Sequence, residues 1–202
     1  MNLGVCGSLL LSGENRTWYR AVRPQFFAFA LRSSHTRSTP SRFNAGKLSN
    51  PQFDVLYLAE NHQVALFEVQ ALLGSPPGPI VPNPHQGPWT IISVSVRLSG
   101  VADLTSRASQ VLLDTNAQEL TGDWMGYASR AVPMSSISYP VGVAPTQELG
   151  TALYSTPHIE AFITISARIP DKMALVVFPQ KLQPGNYMRF LDPGTGQVVS
   201  IP

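Results

Sequence analysis

Four side chains near the start of the chain could act on one ligand. Arg20 follows two aromatics in TWYRAV, Arg42 lies in SRFNAGKL, Tyr57 in VLYLA and Glu68 in ALFEV. The planar guanidinium fork suits a pyrophosphate, to which it donates paired hydrogen bonds. An arginine buried in a strand needs an anion or a carboxylate partner, because burying an unpaired charge is costly. Each residue also has a plainer use: a surface arginine, a core tyrosine, a carboxylate on the outer face of a helix. Taken singly, each signal is weak, and the plainer use is the stronger reading of each residue. Between positions 41 and 68 a flexible arginine-bearing loop, an apolar strand and a helix follow one another. Together they could hold an anionic dinucleotide and work on its sugar.

Other chemistries find less support. His35, His62, His85 and His158 are scattered, without H-x3-H or HExxH spacing, so no metal site is expected. Walker A, GxGxxG and GxSxG patterns are missing, and the glycines at 194 and 196 belong to a tail turn. The single cysteine, Cys6, excludes an internal disulfide. With no His close by, it reads as a small apolar filler.

The elements that must position these residues are short. A strand is expected over Trp18–Val22, a polar loop over 33–50 and a buried strand over 54–59. Asn61 stands as the N-cap of a helix that Gly74 stops. The stretch 74–88 holds six prolines and reads as a stiff, extended surface loop. WTIISVSVRL alternates as a strand, and a helix begins near Thr105 or Ser106. Positions 115–150 look irregular until TQELGTAL, a helix with Thr146 as N-cap and Glu148 just inside. EAFITISARI and MALVVFPQ read as strands about a turn at Pro170–Asp171, with one closing strand after Gln180. The N-terminal GVCGSLLLSG reads as a strand or a disordered lead-in. These short strands with a few helices make an α+β fold of mixed short-stranded sheets. The expected organisation is an N-terminal lead-in over 1–16 and a single domain over 17–202.

At 202 residues and 44% hydrophobic the chain can bury a core, and its 13% charged residues are sparse against a usual quarter. Residues 1–50 hold seven of the fourteen Lys and Arg and one acid, Glu14, whereas 51–96 carry no Lys or Arg. A basic first quarter points to an anion-binding surface. The cations are not laid along a helix face among aromatics, which disfavours direct nucleic-acid binding. The sequence shows neither an export signal nor a bilayer-spanning run, so no membrane association is expected and the cytoplasm is the expected location.

Together these segments resemble the RES domain family. TWYRAV resembles its opening W-Y-R segment, SRFNAGKL its G-R-F/W-N-x-x-G loop, and VLYLAENHQVALFEV its Y-L-A strand and A-x-x-E helix. VADLT, GDWM, TQELGTAL and ITISARIPDKMALVVFP are similar to downstream segments, in order, over roughly residues 17–182. Departures from the family pattern fall at Pro40–Ser41, Ile165 and Met173–Ala174. The resemblance implies a bacterial toxin of a toxin–antitoxin pair, with an Xre-type helix-turn-helix antitoxin as partner and a possible homodimer. It implies a fold similar to ADP-ribosyltransferases. The implied activity is consumption of NAD+ as substrate, with no further cofactor: a glycohydrolase or phosphorylase, or an ADP-ribosyltransferase. A non-catalytic NAD- or anion-binding module is the alternative of another class. The family's functional residues fall on Arg20, Arg42, Tyr57, Glu68 and Ser166. The expected roles are pyrophosphate binding by Arg20 and Arg42 and orientation of the nicotinamide ribose by Tyr57. Glu68 would stabilise the developing cation, and Ser166 would hydrogen-bond near the nicotinamide.

Overall fold

A computed structural model describes residues 1–74, 78–129 and 142–202. In chain order the strands are β1 (Leu11–Val22), β2 (Leu56–Ala59), β3 (Leu72–Gly74), β4 (Ile80–Pro82), β5 (Thr90–Asp103), β6 (Ala161–Ile165), β7 (Met173–Val177), β8 (Tyr187–Leu191) and β9 (Val198–Ile201). The helices are α1 (His62–Glu68), α2 (Arg107–Leu112), α3 (Ala117–Thr121), α4 (Gly126–Ser129) and α5 (Pro145–Ser155).

Seven strands form one sheet in the order β1-β2-β7-β6-β5-β8-β9, and β1 pairs again with β5. The strands β1, β2, β7, β6 and β5 therefore close into a ring, with β8 and β9 attached to β5. Only β5 and β6 run parallel. All five ring strands contribute to one apolar cluster that includes Trp18, Leu56, Val94, Ile163 and Leu175. Alternate residues of β6 and β7, Phe162 and Val176, enter a second cluster with Phe43, Phe53, Leu149 and Leu153. The period-2 alternation of strand side chains thus feeds two cores from the same strands. A third, smaller cluster seats Val64, Ala65 and Phe67 of α1 against Ala21 and Ala59.

Several expectations need correction. The lead-in is a 3-10 turn, Leu3–Ser8, with Cys6 buried. β1 starts at Leu11, not Trp18, because its polar first half pairs with β5 from Leu11↔Ala102 onward. The helix after Asn61 is only seven residues long. Asn61 caps it, accepting from the Val64 N–H at 2.9 Å. It ends well before Gly74, in a left-handed turn at Gln70 (φ 58°) closed by Gln70 N–H to Phe67 O and Ala71 N–H to Leu66 O. The chain then pairs β3 with β4, so a hairpin occupies part of the stretch expected as an extended loop; residues 75–77 of that stretch lie outside the described residues. Within 115–150, α3 and α4 are regular, and 130–141 lie outside the described residues. The N-cap of α5 is Ala144 rather than Thr146, with Pro145 at the first helical position. Two strands, not one, follow Gln180.

Helix α5 approaches the arginine loop closely. A Cβ on Gly150 would overlap the Phe43 carbonyl oxygen. Gly150→Ala should therefore push the Phe43 segment off the helix and cost about 1–3 kcal/mol. The expected readout is a fall in Tm of several degrees, about 2–4 °C per kcal/mol for a chain of this size.

Candidate functional site

A cavity of about 400 Å³ opens between β1, β2, α1, the arginine loop, the β6–β7 turn and the segment around Trp124. Arg20, Arg42, Tyr57 and Glu68 all line it. The register explains its floor. Tyr19↔Ala59, Ala59↔Ala174 and Ala174↔Thr164 form one row across four strands. Two alanines in mid-row leave room above the sheet. The neighbouring row, Tyr57–Val176–Phe162, carries bulk.

Arg20 projects from β1 and donates to the Tyr57 carbonyl at 3.2 Å, while its Nε is buried without a partner. Burial lowers its pKa to about 10, so it remains charged at neutral pH. Arg42 donates to the carbonyls of Gly122 (2.6 Å) and Leu120 (3.4 Å) at the end of α3. Burial also lowers the Arg42 pKa, with Arg168 adding to the fall and Glu68 and Tyr57 opposing it. Among the described residues neither Arg20 nor Arg42 forms an ion pair; the pairs present are Arg16–Glu14, Arg37–Asp54 and Lys172–Glu60.

The loop bearing Arg42 is a built structure, in contrast to the flexible segment expected. Asn44 is fully buried and sits at its centre. Its amide donates to Phe53 O (2.8 Å) and Thr36 O (3.2 Å), and its side-chain oxygen accepts from Gly46 N–H (2.7 Å) and the Ser49 hydroxyl (3.0 Å). Gln147 of α5 donates to Ser41 O at 2.9 Å. The Tyr57 hydroxyl accepts from Phe43 N–H at 3.0 Å and pairs with Ser41 Oγ at 2.9 Å. Burial pushes its phenol pKa up, against the lowering effect of those two hydrogen bonds. Tyr57 thus holds the loop with its tip and presents its ring to the cavity.

Glu68 ends α1 and is exposed. Its Oε1 accepts from Ser166 Oγ at 2.6 Å, and Ser166 Oγ in turn accepts from the N–H groups of Arg168 (3.2 Å) and Ile169 (3.3 Å). Ser166 is buried and stands behind Glu68 rather than on the cavity lining. All five expected residues are therefore in one place, four on the wall and one supporting the carboxylate.

Sequence reasoning missed Arg168, which lines the same cavity, and Thr164, whose hydroxyl is buried without a partner at the end of the alanine row. The only local signal for Arg168 was its position two residues after Ser166. Among the described residues, no group of three or more His, Cys, Asp or Glu could hold a metal ion, and no helix is long and apolar enough to cross a membrane.

A closed α+β ring with an arginine-lined cleft and one serine-held carboxylate defines the class of domain. The RES domain model matches residues 17–190, and the chain belongs to that family. Its fold is similar to that of a chain in the crystal structure of the M. tuberculosis MbcT–MbcA toxin–antitoxin complex. The TM-score is 0.58 at 17% sequence identity, over 98% of this chain and 91% of that one. A search of curated proteins gave no match.

Proposed function

We propose that the protein is an NAD+-consuming toxin that cleaves the nicotinamide–ribose bond, with water or phosphate as acceptor, and so depletes NAD+. The observation that carries this reading is the union, in one cleft, of guanidinium groups without ion-pair partners among the described residues and one hydroxyl-held carboxylate. Membership of the RES family supports it.

In this reading Arg20 and Arg42 bind the pyrophosphate, and the ring of Tyr57 orients the nicotinamide ribose. As the bond from C1′ to nicotinamide breaks, its electron pair leaves with nicotinamide, which becomes neutral, and positive charge passes to the ribose. Glu68 stands against that charge and hydrogen-bonds the ribose hydroxyls, stabilising the transition state more than the ground state. Ser166, expected near the nicotinamide end, acts there through Glu68. Water then adds to C1′ and loses a proton, giving ADP-ribose. NAD+ is the substrate, and no other cofactor is invoked. Transfer of ADP-ribose to a protein would use the same donor site.

The proposed partner is an antitoxin, a small Xre-type helix-turn-helix protein, and the proposed setting is the cytoplasm, with a homodimer inside the complex. The likeness to a chain of the MbcT–MbcA complex supports an antitoxin partner. Purified protein incubated with NAD+ should release free nicotinamide. If none appears with phosphate, without it, or with cell extract, the cleft is that of a non-catalytic binding module.

A further inference from the structure

We infer that Arg168 is a third anion-binding group of this cleft, closing from the β6–β7 turn onto the phosphates that Arg20 and Arg42 hold. The inference rests on the reading of the cleft as a dinucleotide site and deepens it.

Arg168 is exposed and lines the cavity with Arg20 and Arg42. Its guanidinium forms no hydrogen bond or ion pair among the described residues. The neighbouring cation of the turn, Lys172, is engaged by Glu60 at 3.0 Å. The described lining therefore sets three guanidinium groups against the single carboxylate of Glu68. Asp123, the next acid toward Arg42, accepts from the N–H groups of Met125 and Gly126. Arg168 and Arg42 repel one another across the cleft. A phosphate-bearing group between them turns that repulsion into two attractions, and a doubly charged pyrophosphate matches the surplus of two positive charges.

The turn is also built to aim Arg168. Its own N–H donates to Ser166 Oγ, the atom that holds Glu68. The Ser166 N–H closes the turn onto Lys172 O at 2.7 Å, and Asp171 adopts a left-handed φ of 61°. One serine thus sets the spacing between the carboxylate and the third cation. An arginine whose only role was solubility would have no need of a fixed turn beside the cleft.

The test measures binding of inorganic pyrophosphate and of ADP-ribose to wild type, Arg168→Ala and Arg168→Lys by calorimetry, with nicotinamide as the phosphate-free probe. Unchanged thermal midpoints would establish that the variants fold, as expected for an exposed side chain. Arg168→Ala should weaken both phosphate-bearing probes about tenfold and leave nicotinamide unaffected. Arg168→Lys should recover part of the loss, because it restores charge without the guanidinium fork. Alanine binding within twofold of wild type overturns the role of Arg168. Failure of wild type to bind either phosphate probe overturns it together with the dinucleotide reading. Intact, Arg168-dependent pyrophosphate binding without any NAD+ cleavage supports the anion site and sinks only the proposed reaction.

Discussion

Glu68→Gln is expected to lower nicotinamide release by about 10²–10³, the usual cost of losing one preorganised electrostatic partner of a developing charge. The substitution keeps the shape of the side chain and an oxygen to accept from Ser166 Oγ. It should therefore leave the cleft assembled, and KM should change far less than kcat, since the phosphates are proposed to be held by Arg20 and Arg42. A second expectation separates this from mere damage. Glu68 ends α1, where free carbonyls already carry partial negative charge, so its own charge opposes the helix. Removing that charge also removes its attraction to Arg42, so the two effects offset one another and Tm should stay close to that of wild type. Turnover near wild type in Glu68→Gln would remove Glu68 from the mechanism.

The largest stability effect is expected outside the cleft lining, at Glu160. This carboxylate is fully buried. It accepts from Gln183 N–H (2.6 Å), Asn186 Nδ2 (2.7 Å), Gly100 N–H (2.8 Å), Ser99 N–H (2.9 Å) and Ser99 Oγ (3.1 Å). Burial alone would raise its pKa, but these donors outweigh it and hold the carboxyl below the usual range. The group ties β5 to the segment leading into β8. Glu160→Gln turns an amide toward a ring of donors and leaves at least one unmet, at a cost on the order of 3 kcal/mol. The pH dependence follows in sign. A folded pKa below the unfolded one contributes stability above the ordinary carboxylate range, and this is lost as pH falls through that range toward the folded value. Denaturant unfolding should show wild type losing stability on acidification through that window, with Glu160→Gln lower at neutral pH and flatter below it. A variant as stable as wild type at pH 7 would contradict this account.

The sequence disclosed what is local. Asn61 caps the helix expected of it, and α2 starts behind Ser106, where a helix was expected to begin near Thr105 or Ser106, because a cap is an interaction over three residues; the cap expected at Thr146 falls instead on Ala144. Residues 161–165 and 173–177 pair as β6 and β7 about their expected turn. The misses are tertiary. LSGENRT carries no strand pattern, yet it is drawn into β1 by the long partner β5. The run from Val69 to Leu72 continues an apolar helical face, but a left-handed Gln70 turns it into a strand. Of the candidate site, the five residues that the fold brings together were picked out through family motifs. Their support was not. Ser166 meets Glu68 across 98 positions, and Gln147 meets Ser41 across 106. Glu160 gave no sign of its role, since nothing in GVADL, HIEAF or QPGNY announces three segments converging on one carboxylate.

The arginine loop bears on how fast a ligand can be captured. Asn44 anchors it through four side-chain hydrogen bonds, and Tyr57 and Gln147 clamp it from two sides. Its ordering entropy is thus met during folding rather than at encounter. An arginine loop that waits in its holding shape adds no ordering step of its own to association, and the cationic walls of the cleft draw anions in from a distance. Capture should approach the pace of electrostatically guided diffusion, slow markedly in high salt, and leave the bond-breaking step to govern turnover.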